Sequence, residues 1–514
     1  MEATTIPSIN PATGEEWRRW PVNGAEDVAA AVRRAQEAQP GWAGKSLGAR
    51  RAVLARFRRL LFERRAEVAS LIEREAGKPA VEAMTADVIT TLDASRYCER
   101  QSPRVLAART IIPSNIALWR KRVTITQEPY GVVGIISRWN YPLLLPASTA
   151  LAALVAGNAV VLKPSELTPA TAVRLGELLH ESGVPDGVFQ TLTGDGTTGA
   201  ALASAEIDKL FFTGSAATGR KVAAACAARL IPCALELGGS DPAIVLDDAD
   251  LDVATSGILW GRFTNAGQTC VAPKRAIVLD AVHDAFVARI TAASARLAVG
   301  PGTARSDVGP MIRPAQADVL DAQLRDAASK GARVMGAARG RGHFFAPTIV
   351  DGVTPDMRIA REETFGPVLA VIRVRNDDDA VAVANDTPFG LSASVWGRDL
   401  ARARRVARRI TSGTVHVNDA VSVVGMADVP HGGVKESGTG RLHGDAGLRE
   451  CVRERAIVVD PFPSWRQPWW FGYSDEHARN IDAFARFWHG RSLAERLSGA
   501  WRSVRMLVSH DRPI

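Results

Sequence analysis

The sequence predicts an α/β protein built on a doubly wound, Rossmann-type sheet, followed by a second α/β domain. Three observations lead there. From Gly131 to about Leu237, short β-branched runs alternate with Ala-rich helical stretches, the order that winds into a parallel sheet covered on both faces. Within that span, two glycine-rich segments each follow a strand-like run and open a helix. A further alternation starts near Gly239, with strand-like runs at Ala276–Leu279 and Ala370–Val374. A chain of 514 residues accommodates two or three sizeable cores.

Taken in order, apolar residues recur at helical spacing through Ala25–Ala38, Ala49–Ala76 and Ala80–Arg100. The stretch Tyr141–Leu162 is uncharged and long enough for a membrane span, but Pro142, Pro146 and Gly157-Asn158 divide it. It reads as a buried helix, a turn and a strand from Ala159 to Leu162. The N-terminal Met1–Pro7 lacks the basic and apolar regions of a secretion signal. With 46% hydrophobic and 23% charged residues the composition is that of an ordinary soluble protein. Net charge is +8, but the arginines are scattered and no aromatic-basic motif accompanies them, so no nucleic-acid partner is expected. The cysteines, Cys98, Cys226, Cys233, Cys270 and Cys451, are odd in number, irregular in spacing and lack a C-x-x-C pair. That pattern argues against a disulfide framework and a metal site, and for a reducing, cytoplasmic location. Cys98, Cys226 and Cys233 sit in Ala- or Leu-rich surroundings and read as core.

Cys270 differs. It ends Phe263-Thr264-Asn265-Ala266-Gly267-Gln268-Thr269-Cys270, a polar approach through a Gly-Gln turn. Upstream lies Leu235-Glu236-Leu237-Gly238-Gly239, a carboxylate flanked by apolar residues and glycines. A thiolate attacks a carbonyl carbon, and a carboxyl whose pKa burial raises toward neutrality is suited to bring water to the product. Gly194-Asp195-Gly196-Thr197-Thr198-Gly199 fits the dinucleotide fingerprint G-x-G-x-x-G, and Phe212-Thr213-Gly214-Ser215-Ala216-Ala217-Thr218-Gly219 offers a second helix N-terminus for phosphate.

An ordered set of further motifs accompanies these: Ser137-Arg138-Trp139-Asn140-Tyr141-Pro142, Lys163-Pro164-Ser165-Glu166, Glu362-Glu363-Thr364-Phe365-Gly366-Pro367-Val368, and Gly432-Gly433-Val434-Lys435-Glu436-Ser437-Gly438-Thr439-Gly440-Arg441. With them the chain resembles the aldehyde dehydrogenase superfamily over about residues 8 to 460. The resemblance implies that fold, with a cofactor domain (1–108 and 129–238), a catalytic domain (239–432), and a β oligomerisation arm with its return segment (109–128 and 433–461). The β-branched runs Val123–Thr126 and Ala456–Val459 then read as edge strands that find another chain, giving a homodimer or homotetramer. It also implies that Cys270 attacks an aldehyde, that Glu236 activates water against the resulting thioester, and that the Asn140 amide with the Cys270 N–H stabilises the oxyanion. It assigns cofactor contacts to Trp139, Lys163, Ser165, Glu166, Gly196, Phe212, Gly214, Ser215, Gly219, Leu237, Gly238, Glu363 and Phe365, and favours the Gly214 segment for the pyrophosphate over the Gly196 turn. A carboxylate at Glu166 accepts ribose hydroxyls and repels a 2′-phosphate, so NAD is preferred and NADP comes second.

The family's usual proline before Trp139, lysine after Gly238-Gly239 and phenylalanine before Gly432 are here Arg138, Ser240 and His431. His431 reads as a loop histidine with its hydrogen bonds satisfied. Tyr141, Leu145 and Val421–Met426, mostly apolar, are implied to border the substrate tunnel, which favours an aliphatic or aromatic aldehyde over a semialdehyde acid. Beyond Pro461 the resemblance stops. The tail 462–514 holds Trp465, Trp469, Trp470, Trp488 and Trp501 and two amphipathic helices. Ser474 starts the first, Gly490 stops it, and Ile481, Phe484, Phe487 and Trp488 share a face; Leu493, Leu497, Trp501, Val504 and Val508 align on the second. Flanked by Arg491, Arg496, Arg502 and Arg505, this suits peripheral contact with the inner membrane surface, or docking on the protein itself. A silent binding member of the family would lack Cys270, Glu236 or Asn140, and a cysteine-dependent (thio)ester hydrolase would need no NAD; a CoA-acylating or phosphorylating enzyme would not use Glu236 to bring water.

Overall fold

The computed structural model describes residues 4–302, 306–336, 339–340, 342–463, 467 and 469–508. The chain forms two compact units, Met1–Leu106 with Glu128–Arg453, and Ala107–Gln127 with Glu454–Ile514.

The first unit holds two sheets. In the six-stranded one the order is Gly438–Thr439, Cys233–Glu236, Lys209–Thr213, Val132–Ile136, Ala159–Lys163, Phe189–Thr191, parallel except for the first pair. Val132–Ile136 and Ala159–Lys163 are buried throughout, as continuous apolar strands must be when helices cover both faces. Successive strands leave Val132–Ile136 in opposite directions, so the topological switch lies there. The strand ends at the switch deliver Ser137–Asn140, Lys163–Glu166 and Thr213–Ser215 to one rim. The seven-stranded sheet runs Arg333–Met335, Thr348–Asp351, Val368–Val374, Pro273–Leu279, Asp241–Val245, Ser392–Trp396, Thr414–Val417, antiparallel only in its first pair. Asp241–Val245 starts soon after Glu236, and Pro273–Leu279 soon after Cys270.

The helices depart from the sequence reading in instructive ways. The first runs on from Ala38, through Pro40, to Ala43, because the buried Trp42 indole donates to the Leu154 carbonyl at 2.9 Å and draws the last turn inward. Ala49–Ala76 is two helices, Leu47–Glu63 and Arg65–Ala76; they meet at Arg64, whose guanidinium forks onto Glu181 at 2.6 and 2.8 Å. The helical stretch from Ala80 to Val105 widens into a π-turn at Ala83–Ile89. The uncharged stretch forms the helix Leu144–Ala156, which ends at Gly157 with φ +102° before the strand Ala159–Lys163. Among the described residues no helix is long and apolar enough to cross a membrane.

The second unit contains a three-stranded sheet in the order Val452–Val459, Arg122–Pro129, Arg109–Ile111. Val123–Thr126 is therefore in a middle strand rather than an edge: Arg109–Ile111 pairs with one side, and Thr126 donates to the Arg455 carbonyl at 3.3 Å on the other. On the edge strand Ile457, Val458 and Val459 are exposed. The tail forms the helices Asp475–His489 and Leu493–Val508, packed on each other. Ser474 caps the first by accepting the His477 N–H at 3.2 Å, and Ser492 with Glu495 caps the second reciprocally. Small residues make the contact. A Cβ on Gly499 would overlap the Ala483 carbonyl, and Ser503 is buried with its hydroxyl on Gly499 O at 2.7 Å. Trp488, Leu493, Leu497, Trp501 and Val504 face outward instead, Trp501 with 77% of its surface exposed. Trp465 and the Val508 side chain lie outside the described residues.

Candidate active site

Cys270 follows a strained approach. Asn265, Ala266 and Gly267 are successive left-handed residues, with φ of 52°, 53° and 71°. Left-handed backbone costs each of the first two about 1–2 kcal/mol, so contacts must hold them. They do. Glu82, at the start of the π-widened helix, accepts the Asn265 N–H at 2.8 Å and the Thr264 hydroxyl at 3.0 Å. The fully buried Arg262 donates to Gly267 O at 3.2 Å, Thr364 O at 3.1 Å and Gly366 O, tying this loop to the one carrying Glu363 and Phe365. Burial lowers its pKa to about 9.

The same helix start holds the Asn140 loop. Lys78 and Asp87 form an ion pair at 2.7 Å with no exposure of either side chain. Lys78 also donates to the Asn140 carbonyl at 2.9 Å, while Asp87 accepts the Leu143 and Leu144 N–H groups at 3.1 and 3.2 Å. Asn140 is buried; its amide donates to Gln268 O at 3.0 Å, and the Tyr141 hydroxyl meets Thr269 at 2.7 Å. The predicted oxyanion donor is thereby laid along the residues that lead into Cys270. Lys274 reaches back to Thr269 O at 3.0 Å, to Cys270 O, and to within 4.0 Å of Glu363. Burial pushes the Cys270 thiol up to about 11, with Lys274 and Arg138 pulling the other way.

Glu236 ends its strand buried, with neither carboxylate oxygen hydrogen-bonded among the described residues. Burial raises its pKa well above the usual carboxylate range; Arg441 opposes this and Glu450 adds to it. Two residues on, a Cβ on Gly238 would displace the Glu363 carboxylate, which accepts the Gly239 N–H at 3.2 Å.

A cleft of about 580 Å³ opens at the switch point. Trp139, Lys163, Ser165, Glu166, Gly196, Phe212, Gly214 and Ser215 all line it, together with Arg138, Lys221 and Arg313. The two glycine-rich segments thus face one cavity. Five further candidates sit outside the lining: Gly219, Leu237, Gly238, Glu363 and Phe365. Gly219 lets its helix touch the buried Leu237, and a Cβ there would come within 2.6 Å of the leucine Cδ2. Gly238 and Glu363 belong to the contact just described. Phe365 is buried edge-on against Trp139 at 5.5 Å, under the Arg138 guanidinium at 3.9 Å. Tyr141 is buried, Leu145 half-buried, and Met426 exposed. His431 overturns its expectation: its Nδ1 is buried without a partner among the described residues.

Sequence reasoning assigned no role to Glu82, Lys78, Asp87 or Arg262. Their signal was present as charges within largely apolar helical runs or, for Lys78, in the turn just before one, a placement natural sequences tolerate only when the charge is paired.

A Rossmann-type sheet with a nucleotide-sized cleft at its switch point, and a cysteine whose approach is held against a buried amide, define a cofactor-dependent α/β enzyme. The chain belongs to the aldehyde dehydrogenase family, whose model matches residues 1–457, and it is an oxidoreductase acting on the aldehyde group. It is 35% identical over 487 residues to the 4,4'-diapolycopene aldehyde oxidase of a Methylomonas species, covering 95% of this chain and 92% of that one. It is 38% identical over 467 residues to the succinate-semialdehyde dehydrogenase [NADP(+)] of Deinococcus radiodurans, covering 90% and 96%. The crystal structure of an NAD-dependent aldehyde dehydrogenase from Sinorhizobium meliloti superposes with a TM-score of 0.87 at 37% identity, covering 91% of this chain and 93% of that one.

Proposed function

We propose that the protein oxidises an apolar aldehyde to its carboxylic acid with Cys270 as nucleophile, Asn140 as oxyanion donor and Glu236 as base for water. The observation that carries this is the convergence of Asn140 and Cys270 through the Gln268 and Thr269 contacts, with the cofactor cleft running to Arg138 and Trp139 beside them. Cys270 adds to the aldehyde carbon; the Asn140 amide and the Cys270 N–H receive the negative oxygen. Glu236 later takes a proton from the water that releases the acid. The nicotinamide, when bound, supplies the hydride acceptor.

The cleft's residues fit a dinucleotide. Ser215, a neutral cap, starts one helix, and Asp195, held anionic by the Thr197 contacts, starts the other. A phosphate is therefore favoured at the Ser215 helix and repelled at the Asp195 helix. Lys163 lies 3.6 Å from Glu166 and also feels Asp195, so two carboxylates engage its single charge and leave little for a 2′-phosphate. This supports NAD over NADP, although the Deinococcus relative is described as NADP-dependent. The exposed Ile457, Val458 and Val459 of the arm support a homodimer or homotetramer.

For the tail, the reading is peripheral contact with an anionic bilayer. Leu493, Leu497, Trp501 and Val504 form one outward stripe, and Arg491, Arg496, Arg502 and Arg505 are exposed around it. The match to the 4,4'-diapolycopene aldehyde oxidase leaves only 5% of the chain uncovered, less than the tail itself, so the likeness extends into the tail.

An NAD-reduction screen across aldehydes of graded chain length, with Cys270→Ala as the blank, tests the reaction. Activity rising with chain length supports the reading; activity confined to succinate semialdehyde defeats the substrate class. Flotation with anionic vesicles, full length against a chain ending at Phe462, tests the tail, and equal behaviour of the two forms retires it.

A further inference from the structure

Glu236 must lose the proton it takes from water before the next turnover, yet it is buried and no described residue hydrogen-bonds it. One titratable side chain close to it is one the family usually lacks. His431 Nε2 lies 3.9 Å from Glu236 Oε2, a gap that a small rotation or one water closes. Behind it stands His443, with ring centroids 5.9 Å apart. The Nδ1 atoms of both rings are buried and unpartnered among the described residues, a rare state for polar atoms and one that calls for water or a function.

His443 is held at φ +56° and lines a small internal cavity of about 20 Å³ with Tyr97, Ser148 and Thr149, room for about one water. The Tyr97 hydroxyl donates to Asp445 at 2.6 Å, and Asp445 pairs with the exposed Arg104. A line of exchangeable groups thus runs from the buried carboxyl to the surface.

We infer that His431, with His443 behind it, is a positioning residue that conducts the proton of Glu236 out of the site after each deacylation. The reading rests on Glu236 being the base. In each step the Glu236 O–H bond breaks as His431 Nε2 gains the proton; His431 Nδ1 gives up its own to a water or to His443, and the ring returns to its starting tautomer by rotation or reverse exchange. No electrons change hands. The groups facing the pair fit such a relay. Arg441 and Glu450 face Glu236; His443, Arg441 and His416 face His431, and His416 is already engaged with Ala393 O and the Val423 N–H. Burial, then His443 and Arg441, lower the His431 pKa to about 3, and burial lowers that of His443 to about 4. Neutral imidazoles of this kind do not store a proton; they pass it when one nitrogen gains as the other loses.

The test uses 4-nitrophenyl acetate, which acylates Cys270 directly and needs no dinucleotide. The initial burst reports acylation and the steady state reports deacylation. In His431→Gln and in His431→Phe, the family's residue, the burst amplitude stays, the steady state falls about tenfold, and the bowed proton inventory in mixed H2O and D2O becomes linear. His443→Leu gives the same pattern. An unchanged steady state and inventory in both His431 variants overturn the relay. Loss of burst together with a lowered melting temperature in both makes the ring structural and also overturns it. Nitrophenolate release that continues unchanged in Cys270→Ala removes the thioester reading itself, and the relay with it.

Discussion

The left-handed turn before Cys270 yields the sharpest prediction. Gly267 has φ +71°, and a Cβ there would lie 2.5 Å from the Gly366 carbonyl carbon and closer still to its oxygen. Ordinary carbon–carbon contact begins about 1 Å further out, so the backbone must move by about that distance. Gly267→Ala adds about 1–2 kcal/mol for the left-handed alanine and about 1–3 kcal/mol for overpacking against atoms that no rotamer change can clear. The enzyme either absorbs about 2–5 kcal/mol or shifts the loop, and a 1 Å displacement of the nucleophile costs about 10²-fold in rate. Thermal unfolding together with kcat/KM for NAD-dependent aldehyde oxidation reads both routes. Ala266→Gly is the internal control. It relieves a left-handed alanine at φ 53° with no new contact, and the gain is offset by about 0.4–1 kcal/mol of chain entropy, so stability and activity stay near the starting values. If Gly267→Ala keeps both the melting temperature and kcat/KM, the account of this turn is wrong.

Three further outcomes follow from the same contacts. Asp87→Asn deprives the buried Lys78 of its ion-pair partner and costs about 3–5 kcal/mol, most of which a matched Lys78→Met change restores; a double-mutant cycle in urea measures this, and additive effects refute it. Because burial holds the Cys270 thiol protonated up to about 11, its alkylation by iodoacetamide without cofactor climbs about tenfold per pH unit from pH 7 to 10, and Lys274→Met slows it further; a plateau by pH 9 contradicts that. Glu166→Gln removes one of the two carboxylates engaging Lys163 and raises the NADP to NAD ratio of kcat/KM about tenfold, whereas an unmoved ratio assigns the preference elsewhere.

The elements that sequence reasoning reached most directly are those whose signal is local. Val132–Ile136 and Ala159–Lys163 are short apolar runs bounded by turn residues, and they became adjacent strands of one sheet. The tail helices carried their own caps at Ser474 and Ser492. Pairing was not legible. Val123–Thr126 looked like an edge and lies in the middle, because the strand beside it, Arg109–Ile111, is too short to announce itself. Nor was it legible which face of each tail helix packs. Hydrophobicity pointed to the tryptophan and leucine stripe, but the close approach permitted by Gly499 and Ala483 turned the small residues inward.

What the amino-acid order determined alone was the inventory: alternating strands and helices, a cysteine on a Gly-Gln turn, a glutamate before two glycines, and glycines at helix starts. Those signals sit within a few residues of one another and follow from backbone preference and periodicity. What only the folded chain decided was the company those groups keep. Glu82, Asp87 and Lys78 are far apart in sequence from the loops they hold, Arg262 is far from the Thr364–Gly366 loop it ties in, and His431 is nearly two hundred residues from Glu236. Charges such as these acquire meaning only when burial removes water and obliges each one to find a partner, and that obligation is imposed by tertiary packing.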